Sequence, residues 1–203
     1  DVILEEGQGG DKARFNKYSA ILKDQILQLQ KKVDKILVHA ETENKFFRLN
    51  TQKLYPEEVV TEVLEELKPS VEHSNGVVRF TVQSGNQLIN ADRYHLSGVL
   101  INLIDNALKY TTVPPEVEIS LSGNTKEIFL KLSDNGTGID KKYLRKVFMP
   151  FFRVPSGNIH NVKGTGLGLS YVKQVCDLHG WKVKIESAPG QGTTVTISIP
   201  KTE

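Results

Sequence analysis

Two glycine clusters constrain this chain more than any other feature of its sequence. Asp134–Gly138 reads DNGTG at the end of an apolar run, and Gly164–Leu169 reads GTGLGL, with 25 residues between them. Glycine lets the backbone approach a ligand closely, and the free N–H groups at the start of a helix attract anions. Either cluster alone is a weak signal. Together they predict a site that recognises an adenine ring at one end and binds phosphates at the other.

The DNGTG cluster allows two interpretations. A carboxylate at the end of a strand, here Asp134, can accept a hydrogen bond from an exocyclic amine, which adenine has where guanine has a carbonyl. Gly136 and Gly138 would then permit the turn that brings the backbone against the ring. The alternative is a plain type I′ or II′ turn, because Asp-Asn-Gly is a strong turn signal. Taken alone, the cluster does not decide between them.

The GTGLGL cluster is neither a Walker A loop nor a Rossmann fingerprint, because it lacks a following Gly-Lys-Ser/Thr and a preceding strand. It leads into a predicted helix whose inner face includes Leu169, Val172, Val175 and Cys176. The segment before it, residues 141–163, is basic and contains no acid. Its cations are Lys141, Lys142, Arg145, Lys146, Arg153 and Lys163, and its large apolar residues include Phe148, Met149, Phe151 and Phe152. This composition predicts a lid over a polyphosphate, with a solvated loop as the alternative.

A polar face on an upstream helix adds a third part to the predicted site. Asn102, Asn106 and Lys109 lie at positions i, i+4 and i+7, which places them on one side of a helix. An asparagine oxygen suits Mg²⁺, which shares its coordination with phosphates and water, and a lysine one turn away can neutralise phosphate charge. In isolation a solvent-facing polar stripe would be the better interpretation. The two glycine clusters downstream favour the site.

Residues 11–49 predict one long helix with a 3.5-residue apolar repeat. The repeat consists of Phe15, Ser19, Leu22, Ile26, Leu29, Val33, Ile36 and Ala40. A narrow stripe of this length favours a partner helix, as in a coiled coil or four-helix bundle, over a single amphipathic helix packed on its own domain. Leu54-Tyr55-Pro56 ends the pattern.

The rest of the chain mixes helices and strands without regular βαβ alternation, which predicts an α+β fold with a helix layer on a mixed sheet. Asp92 is a predicted helix cap. Helices are predicted over residues 59–70, 96–107, 143–148 and 166–179. Strands are predicted over residues 77–82, 117–121, 128–132, 181–187 and 193–199.

Composition excludes several classes of protein. The chain of 203 residues suits one domain and an appendage, and a net charge of +2 gives no support for binding nucleic acid or a membrane surface. The single cysteine, Cys176, excludes an internal disulfide and suits a reducing compartment. No apolar run reaches the roughly 18 residues that span a bilayer. Because residue 1 is Asp, we expect a piece of a longer chain whose membrane segment would lie elsewhere.

Four blocks in order resemble the N, G1, F and G2 boxes of bacterial sensor histidine kinases, within the ATPase superfamily shared with DNA gyrase and heat-shock chaperones. They read NLIDNALKY, DNGTGI, FMPFFR and GTGLGLS, and GTTVTISIP resembles the end of that domain. The resemblance covers residues 54–200. It implies a catalytic ATP-binding domain over 54–203 with the two-layer α/β sandwich of this superfamily. It also implies that residues 1–50 are part of a dimerisation and phosphotransfer hairpin, mainly its second helix.

The resemblance assigns roles only to residues that match the motifs. It implies that Asn106 binds Mg²⁺ and that Asp134 recognises adenine beside Gly136 and Gly138. It also implies that Thr193 helps to hold the adenine ring, either directly or through a water molecule. Along the phosphates and ribose it places Asn102, Lys109 and Tyr110, with Arg153 and Lys163 as lid cations. The phosphate-facing backbone would come from Gly164, Thr165, Gly166, Leu167, Gly168 and Leu169.

The family's acceptor histidine, followed by an acid and then by Thr-Pro or Asn-Pro, is missing from this sequence. His39 is the one histidine on the predicted bundle helix, and we interpret it as a solvated histidine because no proline follows. We therefore expect the acceptor upstream of residue 1. The resemblance implies that the parent protein is an inner-membrane-anchored homodimer with this part in the cytoplasm, and that it transfers the γ-phosphoryl of Mg·ATP to a histidine and then to a response-regulator aspartate.

Two other functions remain open at this stage. The chain could belong to an ATP-driven clamp or chaperone ATPase of the same superfamily, or to a nucleotide-responsive dimerisation module without catalysis. Asn102 argues against the first, since hydrolytic relatives commonly carry a water-activating glutamate at that position, although neighbouring Asp105 leaves some hydrolysis possible. The aromatic FMPFFR block and the preceding heptad helix also argue against a clamp or chaperone ATPase.

Overall fold

The computed structural model describes residues 18–19, 49–83, 87–111, 113–155 and 165–201. The chain divides into two units, residues 1–47 and residues 48–203, and every element named below lies in the second. The predicted helix over residues 11–49 and His39 fall almost wholly outside the described residues, so both stay predictions. In the described part of the chain, no helix combines the length and the apolar character that crossing a bilayer requires.

Three helices form where the sequence supplies start signals. Helix α1 (Pro56–His73) begins with proline after the extended residue Tyr55, and acids in its first turn complement the helix dipole. Helix α2 (Arg93–Lys109) is capped by Asp92, whose carboxylate accepts the His95 N–H at 3.2 Å, as predicted. Helix α3 (Gly168–Leu178) begins directly at the second glycine cluster.

A five-stranded sheet carries these helices. Its strands are β2 (Val77–Val82), β4 (Glu116–Gly123), β5 (Glu127–Asp134), β6 (Lys182–Ser187) and β7 (Thr193–Pro200), in the spatial order β2-β4-β5-β7-β6. The pair β2–β4 is parallel and the other pairs are antiparallel, which confirms the predicted mixed sheet. A separate antiparallel pair, β1 (Gln52–Leu54) with β3 (Ile89–Ala91), was not predicted, because three residues are too short to show a strand period.

The core lies between one face of the sheet and the helices, so the predicted two-layer α+β architecture is confirmed. Alternate residues of the three central strands are buried, namely Val117, Ile119, Leu121, Ile128, Leu130, Leu132, Val195, Ile197 and Ile199. Helix α2 packs against β4 and β5, α1 packs against β2, and α3 packs against β6. The buried apolar side chains of these helices include Val60, Leu96, Leu100, Ile104, Val172 and Val175. The opposite strand positions carry polar residues such as Glu118 and Lys131, which are exposed. This period of two is that of a half-buried sheet.

One predicted element was wrong in detail. In place of a single helix over residues 143–148, the chain forms two 3₁₀ turns, Lys141–Tyr143 and Lys146–Phe148. The Asp140 carboxylate accepts the Lys142 N–H at 3.0 Å and closes the first turn early. Only Val147 of the second turn is buried, so little apolar packing is available to extend a helix here.

Candidate functional site

Asp134 ends strand β5 in the middle of the sheet, beside Thr193 of β7. Its Oδ1 atom accepts the Gly136 N–H at 2.8 Å and the Thr193 N–H at 3.1 Å. Burial raises the pKa of this carboxyl above its ordinary value of 3.8, and the two backbone N–H groups offset part of that effect. Both of these hydrogen bonds end on Oδ1. With respect to the described residues, Oδ2 can therefore accept a hydrogen bond from a ligand.

The turn after Asp134 is not a hairpin turn. The next strand in the chain, β6, begins only at Lys182, and β5 pairs with β4 and β7. A type I′ or II′ turn also needs a positive φ at its first central residue, and neither Asn135 nor Gly136 has one, so that interpretation of DNGTG is wrong. The glycines serve instead to pack this turn against other parts of the backbone.

Close backbone contacts explain why glycine is required around Asp134. Gly192 has φ +71°, and a Cβ atom there would come within 1.9 Å of the Asp134 carbonyl oxygen. Gly138 has φ +69°, and its Cβ would come within 1.9 Å of the Ala188 carbonyl oxygen. At Gly136 a Cβ would meet Asp134 Oδ1 at 2.8 Å. Real Cβ atoms do not occupy such positions, so the end of β5 and the β6–β7 turn interlock through bare backbone.

Ser187 links the turn after Asp134 to the β6–β7 turn, and no sequence motif indicated this role. Its hydroxyl donates to the Gly192 carbonyl at 2.6 Å and accepts the Ile139 N–H at 2.8 Å. Because that one proton is used, the hydroxyl of Thr193, 3.0 Å away, must be the donor to Ser187. The Thr193 oxygen therefore keeps its lone pairs for a ligand or a water.

The C-terminal end of helix α2 joins the Asp134 corner. The Tyr110 carbonyl accepts the Thr137 N–H at 2.8 Å, and the Thr137 carbonyl accepts the Gly190 N–H at 2.8 Å. A Cβ on Gly136 would meet the Tyr110 carbonyl oxygen at 2.7 Å. The tyrosine side chain is 43% exposed, so it is available to a bound molecule at the surface.

The predicted phosphate end lies two turns earlier on α2. Asn102 is buried, and its Nδ2 donates to the Gly98 carbonyl at 2.7 Å. A Cβ on Gly168, the first residue of α3, would lie 3.3 Å from Asn102 Oδ1 and 3.6 to 3.7 Å from the amide atoms of Asn106. The glycine start of α3 thus faces both asparagine side chains, which a larger residue would crowd. Asn102 and Tyr110 are eight residues apart, about 12 Å along the helix. Helix α2 therefore lines both the Asp134 end and the predicted phosphate end of the site.

The remaining predicted residues are placed as follows. Lys109 forms an ion pair with Asp105 one turn earlier, and both side chains are 45% exposed. Arg153 and Thr165 are exposed, Leu167 is buried and Leu169 is half-buried. Gly166 has φ +74°, and its carbonyl accepts the Phe151 N–H at 3.0 Å, which ties the FMPFFR block to the second glycine cluster. Lys163 and Gly164 lie outside the described residues.

The large apolar residues of the FMPFFR block are either half-buried or exposed. Phe152 packs against Tyr143 with ring centroids 5.9 Å apart. Met149 and Phe151 are 55% and 70% exposed, and Phe151 has φ +62°, a conformation that non-glycine residues seldom adopt. The block therefore presents an apolar surface beside the glycine start of α3.

The described residues do not form a metal centre of their own. No group of three or more His, Cys, Asp or Glu side chains within them is arranged to hold an ion. A divalent cation at Asn106 would therefore take most of its ligands from phosphates and water, which is the coordination that Mg²⁺ favours. The neutral amide oxygen of Asn106 beside Gly168 fits such an ion.

A polar cluster at the opposite end of α2 was also missed from the sequence. The Asp92 N–H donates to His179 Nε2 at 3.0 Å, and Asp92 Oδ2 accepts the Asn50 N–H at 2.8 Å. His179 Nδ1 donates to the Val175 carbonyl at 2.8 Å, and the imidazole stacks on Trp181. Burial lowers the pKa of His179 from its ordinary 6.5, which favours the neutral ring that can accept at Nε2. The cluster ties the start of α2 to the end of α3.

The chain also matches known proteins in sequence and in fold. Residues 91–203 match the family model described as histidine kinase-, DNA gyrase B-, and HSP90-like ATPase. The sensor protein RprX of Bacteroides fragilis is 34% identical over 203 residues, and the match spans 98% of this chain but 39% of that protein. The chain thus corresponds to about two-fifths of this curated relative.

Solved structures show the same fold. The catalytic domain of histidine kinase ThkA, in a nucleotide-free form, superimposes with a TM-score of 0.67 at 27% identity, covering 76% of this chain and 100% of that one. The Acinetobacter baumannii histidine kinase AdeS gives a TM-score of 0.71 at 25% identity, covering 99% of this chain and 90% of the other.

Proposed function

Because this chain belongs to the histidine kinase-, DNA gyrase B-, and HSP90-like ATPase family and carries the catalytic domain of a sensor histidine kinase, we propose that it binds Mg·ATP and transfers the γ-phosphoryl group to a histidine. The observation that carries the proposal is the arrangement along α2. Asp134 and its glycine turn meet one end of this helix at Tyr110, and Gly168 faces Asn102 and Asn106 further up. A single nucleotide can contact both ends.

The adenine end recognises the base by hydrogen bonding. Oδ2 of Asp134 accepts the exocyclic amine of adenine, and Thr193 contributes its hydroxyl beside it, directly or through water. Guanine presents a carbonyl at the same position, which a carboxylate repels. Gly136 and Gly138 bring the backbone close enough for the ring to rest against it.

The phosphate end works through positioning and charge neutralisation, which are the main tasks of a protein in phosphoryl transfer. Asn106 would hold Mg²⁺, and the ion would neutralise phosphate charge. The backbone of Gly166 and Gly168 at the start of α3 supplies N–H donors, and Lys109, Arg153 and Lys163 supply positive charge.

Transfer is favoured over hydrolysis because, among the described residues, the side chains around Asn106 include no strong base aimed at the proposed phosphate end. The Asn102 amide has no basic oxygen, and its nitrogen is occupied by the Gly98 carbonyl. Asp105, the neighbouring carboxylate, is paired with Lys109. The described residues therefore offer a water molecule at this site no efficient general base.

The proposal extends to the partners of the longer protein. We propose that the helix predicted over residues 11–49 belongs to a dimerisation hairpin whose acceptor histidine lies upstream of residue 1. The phosphoryl group would pass from that histidine to an aspartate of a response-regulator receiver domain. A membrane anchor would be supplied by other segments of the parent protein.

Incubation with γ-labelled ATP tests this function. We expect the chain alone to stay unlabelled and to label a separately supplied hairpin that carries a His-acid-x-x-Thr-Pro sequence. The label should be acid-labile and should be lost when the hairpin histidine is replaced by alanine. Sustained hydrolysis without transfer would contradict the proposal and favour a clamp or chaperone ATPase. Self-labelling that disappears in His39→Ala would place the acceptor within this chain instead.

Replacement of Asn106 tests the metal. Groups that merely support a metal site change its affinity by about ten- to a hundredfold when mutated, so Asn106→Ala should weaken Mg²⁺-dependent binding of a non-hydrolysable ATP analogue at least tenfold. Asn106→Asp should also weaken it. Titration calorimetry with and without Mg²⁺ measures the difference. The control is Asn90→Ala, an exposed asparagine on β3. Undiminished metal dependence in Asn106→Ala would show that this residue is not the ligand.

A further inference from the structure

Tyr171 is a buried polar residue at the interface between α2 and α3. It is 4% exposed, and its hydroxyl lies 3.0 Å from Nδ1 of His95, with which it shares a hydrogen bond. The two rings are 6.2 Å apart between centroids. His95 is itself 9% exposed and belongs to the first turn of α2, where its N–H is bound by the capping residue Asp92. The hydroxyl of Tyr171 therefore fixes one turn of α3 to a capped, rigid part of α2.

The same tyrosine rests on Gly98, one turn further along α2. A Cβ on Gly98 would lie 2.6 Å from the Tyr171 hydroxyl and 3.1 to 3.2 Å from two atoms of its ring. The distance of 2.6 Å is too short for a real Cβ atom, and the other two are tight, so the close approach of the two helices depends on glycine here. The Gly98 carbonyl also holds the Asn102 side chain through its 2.7 Å hydrogen bond. Tyr171 thus packs on the peptide segment that orients Asn102.

The next contact along the interface is the nucleotide site itself. Gly168 precedes Tyr171 by three residues, so the two lie on the same side of α3 about one turn apart. A Cβ on Gly168 would lie 3.3 Å from Asn102 Oδ1. Contacts on successive turns of one short helix are mechanically linked, because a helix of 11 residues moves as a unit. The separation at Tyr171 consequently sets the separation at Gly168.

We propose that Tyr171 is a positioning residue for the nucleotide site: through His95 and Gly98 it sets how closely the glycine start of α3 approaches Asn102 and Asn106. The inference rests on the proposed binding of a nucleoside triphosphate. It assigns the residue an effect on the phosphate end only, since Asp134 and Thr193 are held by separate contacts at the other end of the site.

Tyr171→Phe tests the proposal, because it removes the hydroxyl and keeps the ring. Affinities for a non-hydrolysable Mg·ATP analogue and for adenosine, which lacks phosphates, are measured by calorimetry and by NMR titration. Triphosphate binding should weaken by up to about tenfold, since the contribution of one hydrogen bond sets the upper limit of this effect. Adenosine affinity should stay unchanged within about twofold. The control is Tyr94→Phe, which alters an exposed tyrosine next to His95.

The outcomes separate this inference from the proposed function. If the wild-type protein binds neither ligand, the proposed function fails. If wild type and Tyr171→Phe bind the triphosphate equally, only the positioning role is overturned. A parallel loss of both affinities would also overturn it, since that pattern belongs to a residue that merely stabilises the fold. The unfolding midpoint of each variant is recorded alongside.

A double-mutant cycle adds an independent check. Gly98→Ala places a methyl group against the Tyr171 hydroxyl and should separate the helices, which weakens triphosphate binding. Because Tyr171→Phe deletes the atom of closest approach, the double variant should bind the triphosphate more tightly than Gly98→Ala alone, although each single change weakens binding. Losses that simply add would contradict the proposal.

Discussion

Asp134→Ala is expected to abolish measurable binding of a non-hydrolysable ATP analogue, with a loss on the order of a hundredfold or more. The carboxylate is the group proposed to accept the adenine amine, and its removal also leaves the N–H groups of Gly136 and Thr193 without their acceptor. A buried donor that loses its partner, together with a lost charged hydrogen bond, justifies that magnitude. Titration calorimetry with Mg²⁺ present measures the change.

Asp134→Asn separates these two causes. The amide oxygen can still accept from Gly136 and Thr193, while the amide nitrogen replaces Oδ2 with a donor. The turn should therefore persist, and the preference between ATP and GTP analogues should shift toward GTP. Unchanged ATP affinity in either variant would remove the adenine assignment from this residue.

The pH dependence of binding gives a check that needs no mutation. Since burial raises the pKa of Asp134 above 3.8 and Oδ1 already accepts two N–H groups, a proton taken up on acidification would sit on Oδ2. ATP affinity should then fall at a higher pH than an ordinary carboxyl would allow. In Asp134→Asn, which has no titratable group at this position, the fall in ATP affinity that Asp134 causes at acidic pH should be absent.

Gly192→Ala is expected to be among the most destabilising single substitutions in the domain. Its positive φ alone disfavours alanine by about 1 to 2 kcal/mol, and the methyl group would lie 1.9 Å from the Asp134 carbonyl oxygen. Relief of that overlap requires backbone movement at the end of β5, which adds about 1 to 3 kcal/mol. The free energy of unfolding should therefore drop by about 3 kcal/mol or more.

Gly190→Ala is the matched control, because the two glycines share the same turn and a similar φ. Gly190 has φ +75°, but a Cβ there meets no atom within 4 Å. Gly190→Ala should lower the free energy of unfolding only by the cost of a positive φ for alanine, about 1 to 2 kcal/mol. This variant should retain nucleotide binding. Urea denaturation of both variants measures the difference. Equal losses would mean that backbone packing at Asp134 does not stabilise the fold.

Much of the fold follows from local sequence patterns. Strand β2 has the predicted bounds, the β4–β5 pair was predicted, and Asp92 caps α2 as its position before an apolar periodic run indicates. These predictions were right because alternation and capping depend on neighbouring residues. The elements that sequence reasoning missed, the β1–β3 pair and the two 3₁₀ turns, are three residues long each and too short for a period to appear.

The predicted site residues came from contiguous motifs, but their supporting residues did not. Ser187, Tyr171 and His179 lie outside the glycine clusters and the asparagine block, in segments that read only as strand or helix. Their partners are 48, 76 and 87 residues away in the chain. No local pattern records such pairs, because they form only when the helices pack on the sheet.

The sequence by itself determined the chemistry that this protein can offer: a carboxylate among glycines, two asparagines and a lysine on one helical face, and a glycine start for α3. Each depends on residue type and on spacing within one element. Only the tertiary structure decided how these groups are arranged. Packing occupies Oδ1 of Asp134 with two N–H groups and leaves Oδ2 able to accept another donor. It also buries Asn102 and points its oxygen toward Gly168. Both ends of the proposed site thereby lie along α2. Burial and orientation arise from packing between distant segments, so no single segment of the sequence specifies them.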